Sequence, residues 1–406
     1  MEFARYLQNV NNRYAVRLTW KHEVNLEDNY YLAHKRLLHL TKRLQKDTTL
    51  LERYDKAIRE YSSSGVAEKV KAGQSNGEFV YYMPHQAAIR EDRTTTKIRI
   101  VFDASSAETH GTSVNNCLDA GPNLNPDLVS VLLNFTTHKV ALVADEKQAF
   151  LEILIQEEDR DALRMLWWEH IPYTTENNKL ETWRMTRVTF GIASSTFLLA
   201  ATIKAHLQSV KDKYPDTVRM LEKSVYVDDV IIGGSSDEDA RKVYLEAGEI
   251  FSTADMELRK WTSSSKDLHY LHYLKELFAS YFEEEGPDRQ VREIGQINVV
   301  LGLNWNFEKD EIDISAENSV KDMNEDSLCT KRMVLQRVAR IYDPLGMLAP
   351  VIVAAKMLLQ SLWKTKISWD DHLQKDQQER WLEWCTDVEE LQKITMSRCY
   401  DVHGCT

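Results

Sequence analysis

Cysteine is scarce and unpatterned in this sequence. Cys117, Cys329, Cys385, Cys399 and Cys405 are scattered with no CxxC spacing. An odd, sparse set reads as reduced structural thiols and speaks against a zinc site. Long apolar runs are missing as well. The richest, MLAPVIVAA at 347–355, stops at Lys356, well short of a membrane span. The N-terminal MEFARYLQNVNNR has no apolar core segment, so it is not a secretory signal, and nothing places the chain outside the cell. There are no repeats and no low-complexity tracts. A basic excess is also absent: the formal net charge is −12. That argues against binding nucleic acid over the whole surface, but phosphates respond to local basic patches and to bound metal.

What remains is an ordinary folded chain, 43% apolar and 28% charged, whose 406 residues imply two or three domains. Residues 30–61 carry helical spacing, with Leu37, Leu40 and Leu44, then Leu51, Tyr54, Ile58 and Tyr61, before SSSG at 62–65. Lys35, Arg36, Lys42, Arg43 and Lys46 decorate the first part, as a solvated face or a phosphate-facing patch. KIRIVFDAS (97–105), KVALVAD (139–145), LRMLWW (163–168) and ETWRMTRV (181–188) read as strands. KVALVAD has the continuous apolar run of a strand covered on both faces. SSTFLLAATIKAHLQSVK (194–211) reads as an amphipathic helix, and SSDEDARKVYLEAGEIF (235–251) as a helix with a capping box from Ser236 to Asp239. Residues 298–315 read as a hairpin around Glu308 to Asp310. The remainder is helical, broken at YDPLG (342–346).

The chemistry centres on SVYVDDVIIGG, residues 224–234. Ionised carboxylates are rarely buried alone, yet Asp228 and Asp229 stand between core-forming residues. A β-hairpin with the pair at its tip is the simplest geometry. An isolated Asp-Asp would read as a structural turn. Two like charges a few ångströms apart raise each other's pKa unless a cation neutralises them, and Mg²⁺ does so with oxygen ligands. A third carboxylate from another strand is expected. Asp145, ending the apolar run of ALVADEKQAFLEI (141–153), supplies it, with the aromatic Phe150 five residues on.

An aspartate with an aromatic five residues later, followed downstream by Y-x-D-D, resembles the reverse transcriptase pattern. The ordered segments YMPHQAAIRED, TTKIRIVFDASS, GPNLNPDLVSVLLNF, RVTFGIASSTFLLAATI, FSTADMELRKWTSS, VVLGLNW and YDPLGMLAPVIVAAKMLLQSLW, with RYAVRLTWK (13–21), resemble the polymerase region of BEL/Pao-type LTR retrotransposons. The resemblance covers nearly the whole chain. It implies an α+β right-hand polymerase with fingers, a palm built on an antiparallel sheet, a thumb, and helical N- and C-terminal segments. The implied divisions are a helical lead segment at 1–75, fingers and palm at 76–295, and a primer-grip hairpin with a helical thumb or connection segment at 296–406.

The resemblance also implies roles. Asp145, Asp228 and Asp229 would be catalytic ligands of two Mg²⁺ ions, with Mn²⁺ as a substitute and the backbone carbonyl of Glu146 completing one site. Lys260 would protonate leaving pyrophosphate. Lys97 and Arg99 would hold the triphosphate, Phe150 would stack under the nucleotide sugar, and Gly191 would admit the nucleotide to the backbone. Leu301, Gly302 and Leu303 would form the primer grip. The implied activity is RNA-directed DNA polymerisation of dNTPs onto a primer held on an RNA or DNA template. A degenerate protein that keeps the fold and at most binds nucleic acid is the alternative, and a metal-dependent nuclease a third. The implied setting is cytoplasmic, in virus-like particles or free, with no membrane partner.

The pattern has departures. Thr19, Thr189 and Thr196 stand where the family has proline, and Glu146 where it is usually apolar. The parent element is expected to carry protease, RNase H and integrase segments that this chain lacks. It begins without a D-[ST]-G protease signature and ends without an RNase H acidic constellation.

Overall fold

The computed structural model describes residues 6–71, 77–89, 98–109, 111–171, 179–272, 297–313, 329–391 and 395–400. A hairpin of β1 (Gln8–Val10) and β2 (Arg13–Val16) comes first, turning through Asn11 and Asn12, both at positive φ. Asparagine tolerates left-handed backbone, and two such residues make the tight turn that matches strand twist. The periodic stretch after residue 30 forms two helices, α1 (Tyr30–Leu44) and α2 (Thr48–Ser63). Asp47 divides them as an N-cap, its carboxylate accepting from Leu50 N at 3.0 Å. The apolar positions read from the spacing, Leu37, Leu40, Leu44, Leu51, Tyr54 and Ile58, are buried.

Next come β3 (Ala67–Lys69) and the antiparallel pair β4 (His85–Ile89) and β5 (Ile98–Phe102). A short helix α3 (Val114–Cys117) and α4 (Leu128–Thr137) lead into β6 (Val140–Glu146). A 3₁₀ turn at Ala149–Glu152 precedes β7 (Leu154–Ile155), β8 (Arg164–Trp168) and β9 (Leu180–Met185). Helices α5 (Ser195–Val210) and α6 (Pro215–Ser224) then deliver the chain to β10 (Val225–Tyr226) and β11 (Asp229–Gly234). Helix α7 (Asp237–Ser252) and β12 (Leu258–Ser263) follow. Ser236 caps α7 through Asp239 N, but the Asp239 carboxylate turns to the Ser235 hydroxyl, so the expected box closes on one side only.

The expected hairpin near residue 300 is a three-stranded meander of β13 (Ile297–Val300), β14 (Leu303–Asn306) and β15 (Glu311–Asp313). Helices α8 (Lys331–Val338), α9 (Ala349–Lys364) and α10 (Lys375–Leu391) bury Val334, Val338, Leu358, Leu362, Trp381, Trp384 and Val388 in a core of their own. Strand β16 (Thr395–Ser397) then pairs with β15.

The sheet that positions the site has the antiparallel order β10-β11-β6-β12. Alternation along a strand sends successive side chains to opposite faces. Leu142, Ala144, Val230 and Ile232 enter a large core with α5, α6 and α7. Ala141, Val143 and Ile231 enter a second core with Val131, Leu132 and Phe135 of α4 and Val300, Leu303 and Trp305 of the meander. Both faces are covered, which is why these strands read as unbroken apolar runs. Helix α5 departs from its amphipathic reading: residues 198–203 are all buried, so its middle is wrapped by protein. Among the described residues no helix is long and apolar enough to cross a membrane.

Candidate active site

Strand β11 pairs with β6 so that Asp229 lies directly opposite Asp145. Such partners are about 4.5–5.5 Å apart at Cα. Asp228 is at the turn, its carbonyl accepting from Glu146 N at 2.8 Å. Val227, at the tip, adopts φ 58°, a genuine outlier for a β-branched residue. Its N–H donates to Asn125 Oδ1 at 3.3 Å. Strain of this kind persists only where the surroundings hold it in place.

Burial and mutual repulsion raise the pKa of two of these carboxylates. Burial first, then the charges of Asp228 and Asp145, push Asp229 up to about 7. Burial also raises Asp228, with Asp145 adding to it and Lys260 and Arg99 opposing it. Asp145 is balanced from β12: Lys260 Nζ lies 2.9 Å and Arg259 Nε 3.3 Å from its Oδ2. Lys260 reaches it from a bulged register between Arg259 and Thr262, at φ 55°. Hard carboxylate oxygens under mutual repulsion are the donor chemistry Mg²⁺ takes. Among the described residues, however, no three His, Cys, Asp or Glu side chains stand as a ready metal cage.

Glu146 follows the sheet's alternation. Asp145 shares a face with Val143, whereas Glu146 shares the other with Leu142 and Ala144. It is 2% exposed, with neither carboxylate oxygen hydrogen-bonded among the described residues. Burial first, then Asp228, Glu152 and Asp145, raise it to about 8, so it is mostly protonated at neutral pH. The charge the sequence adds beside Asp145 is therefore largely silenced.

Phe150 is buried on the 3₁₀ turn behind Gln148, which has φ 53°. Its ring meets Phe190 edge-on at 4.6 Å, and Phe190 is 54% exposed. Gly191 has φ 97°, and a Cβ there would lie 2.5 Å from the Phe102 carbonyl, so both conformation and space require glycine. Asn115 locks this loop, donating to Gly191 O at 2.9 Å and accepting from Ala193 N at 2.8 Å. Sequence reasoning passed over Asn115 and Phe190. Phe190 sits inside the quoted RVTFG, but nothing local marks Asn115. Thr189 is buried with its hydroxyl unpartnered among the described residues, and its carbonyl accepts from Ser195 Oγ at 2.6 Å; Thr196 is exposed. Arg99, exposed on β5, is near enough to favour the charged form of Asp228. Lys97 lies outside the described residues. Leu301 and Gly302 form the β13–β14 turn, at φ 45° and 92°, with Leu303 opening β14.

Residues 330–405 match the family described as Pao retrotransposon-like RNaseH-like domain. That description falls on the segment where the motifs imply a thumb or connection, whose described part is α8, α9, α10 and β16. No curated protein matches the sequence. Among solved structures, the chain resembles the foamy viral protease-reverse transcriptase dRH in complex with ds DNA, at TM-score 0.53 and 14% identity over 83% of this chain. It spans 47% of that protein. The foamy viral protease-reverse transcriptase in complex with RNA/DNA hybrid also matches, at TM-score 0.49 and 13% identity, covering 92% of this chain and 39% of the other. The chain thus has a mixed helix-and-sheet fold that resembles that structure. The family match and the likeness together support a Pao-type retrotransposon polyprotein.

Proposed function

We propose that this chain is the reverse transcriptase region of such a polyprotein, adding dNTPs to a primer 3′-OH. The observation that carries the reading is the register that sets Asp229 against Asp145 with Asp228 beside them at the hairpin tip. In this reading the β10-β11-β6-β12 sheet is the palm, the β4–β5 hairpin belongs to the fingers, and the C-terminal helices serve as thumb or connection. Asp145, Asp228, Asp229 and the Glu146 carbonyl would hold two Mg²⁺ ions, which neutralise charge developing on the transferred phosphoryl group. The protein's part is positioning and electrostatics. Arg99 suits bidentate contact with the triphosphate. Phe150, backed by Phe190, forms the floor under the sugar, and Gly191 lets the nucleotide approach the backbone. Lys260 would give its proton to the departing pyrophosphate as the Pα–O bond breaks. Template and primer would be gripped by backbone and helix shape, with sequence read by base pairing. The foamy viral neighbours, bound to DNA and to RNA/DNA hybrid, support nucleic acid as the partner.

A second reading, binding without turnover, has one observation behind it: Lys260 and Arg259 already neutralise Asp145. Incorporation of dNTPs on a primed homopolymer with Mg²⁺, run beside Asp228→Asn, separates the two. Incorporation by the wild type that the substitution abolishes supports the polymerase. No incorporation by folded protein, or equal incorporation by the variant, ends that reading.

A further inference from the structure

The polymerase reading gives no task to the Y-D-P-L-G stretch at 342–346. Its surroundings supply one. The β13–β14 turn places Leu301 and Gly302 together at positive φ, as a two-residue hairpin of the tight type requires. Leucine is uncommon there, so the conformation needs support. Tyr342 gives it. Its hydroxyl donates to the Leu301 carbonyl at 2.7 Å. A Cβ added at Gly302 would lie 2.5 Å from Cε1 of the same ring. One side chain therefore fixes the carbonyl of the first turn residue and occupies the space beside the second.

Tyr342 is itself held from the C-terminal helices. The Asp343 carboxylate accepts from Met347 N and Leu348 N, each at 2.8 Å, at the start of α9. Gly346, at φ 71°, donates to the Asp343 carbonyl at 3.3 Å. Leu345 packs with the meander core, and Leu348 lies in the core of α8 to α10. Tyr342 as a whole is still 46% exposed, and the strands flanking the turn share a core with Ile231 of β11 through Val300 and Leu303.

We infer that Tyr342 is a positioning residue for the primer end, fixing the Leu301–Gly302 turn of the meander that packs on β11 and tying that geometry to the C-terminal helices. This rests on the polymerase reading above. Substituting Tyr342→Phe removes only the hydroxyl; Tyr342→Ala removes the ring. Both are compared with wild type for KM of a primed template, KM of dNTP, and affinity for the same primed duplex by fluorescence anisotropy without dNTP. The loss of one neutral hydrogen bond predicts about a fivefold rise in primed-template KM and Kd for Tyr342→Phe, more for Tyr342→Ala, with dNTP KM unchanged. Because the ring fills the space a Cβ would need, Gly302→Ala should harm binding less in the Tyr342→Ala background than alone. Variants that melt within about 2 °C of wild type and bind and extend like it overturn the inference. So does a rise confined to dNTP KM. A wild type that binds the duplex without extending it ends the polymerase reading, while the anisotropy comparison still decides the role of Tyr342. A wild type that neither binds nor extends overturns both.

Discussion

Two regions of the molecule treat charge in opposite ways. At the edge of the β6–β11 sheet, Asp145, Asp228, Asp229 and Glu146 crowd together, and burial with mutual repulsion lifts three of them toward neutrality. At the far end of the second core, Arg398 is fully buried but answered on every side. Its guanidinium donates to both Asp310 oxygens at 2.6 and 2.8 Å and to the carbonyls of Phe135 and Lys139. On α8, Lys331 is likewise buried, with its ammonium 3.7 Å from the Trp363 ring centroid. Matched charge holds a strand in place. Asp145 is answered by Lys260 and Arg259, but the like charge of Asp228 and Asp229 is a cost that folding alone would remove, and it makes sense where a ligand supplies the missing sign.

The comparison breaks most visibly at Asp228. Asp228→Asn should lower dNTP incorporation by on the order of 10²–10³-fold, as expected when preorganised electrostatic stabilisation is removed. The same change relieves repulsion, so its thermal midpoint in metal-free buffer should be no lower than that of wild type. Added Mg²⁺ should raise the wild-type midpoint and leave that of an Asp145→Asn/Asp228→Asn/Asp229→Asn variant unmoved. A variant that loses activity and also stability would mean that Asp228 is structural.

The matched region should respond the other way. Asp310→Ala leaves a buried guanidinium with carbonyl partners only, and it also removes the acceptor of Trp305 Nε1. Breaking one side of a buried pair costs about 3–5 kcal/mol. Replacing both residues, in Asp310→Ala/Arg398→Met, should recover part of that loss, and urea denaturation at neutral pH measures both. A single-variant cost below about 1 kcal/mol would show that the pairing is incidental.

A third arrangement, neutral by construction, lies at the partly buried His85 on β4. Tyr54 donates its hydroxyl to Nδ1 at 2.7 Å, and Nε2 donates to the Leu166 carbonyl at 3.0 Å. Burial, against the help of that carbonyl, lowers the imidazole to about 4 from 6.5. The unfolded chain therefore binds the extra proton first. Stability from this residue is complete above about pH 6.5, falls as the pH drops, and is lost by about pH 4. The difference in unfolding free energy between pH 7 and pH 4.5 should be about 2–3 kcal/mol larger in wild type than in His85→Gln. Equal pH dependence would show that the imidazole is free to charge in the folded state.

Much of this was legible in the chain. The apolar flanks of Asp228 and Asp229 announced the hairpin, the run ending at Asp145 announced its partner strand, and the 3–4 spacing announced α1 and α2. What stayed hidden depends on long sequence separations. Asn115 fastens Gly191 from 76 residues away, and Tyr342 fastens Leu301 from 41. Neither residue carries a local signal, because an asparagine or tyrosine in a loop has many cheaper uses. Asp47 was not singled out as the cap between α1 and α2, because helical periodicity survives an N-cap. Helix α5 was misread because its small residues, Ala200 and Ala201, fit a crowded interior as well as an open face. Strand β16 is three residues long, too short for any pattern to show.

Glu146 is where reading the sequence and reading the structure differ most. In the sequence it threatens the site with a fourth negative charge. In the fold it points to the main core, largely protonated, with two oxygens lacking hydrogen-bond partners among the described residues. Its harm is therefore to stability, since a buried polar group without a partner costs about 1–3 kcal/mol. Glu146→Val keeps a similar volume, suits a strand and leaves the backbone carbonyl in place. It should stabilise the protein by about 1–2 kcal/mol in urea denaturation at pH 7, with dNTP incorporation within about twofold of wild type. A stabilised variant that loses incorporation would mean that the side chain, and not only the backbone, belongs to the site. A destabilised variant would mean that its oxygens have partners the fold keeps, and the division between charge kept for function and charge kept for stability would have to be redrawn at this residue.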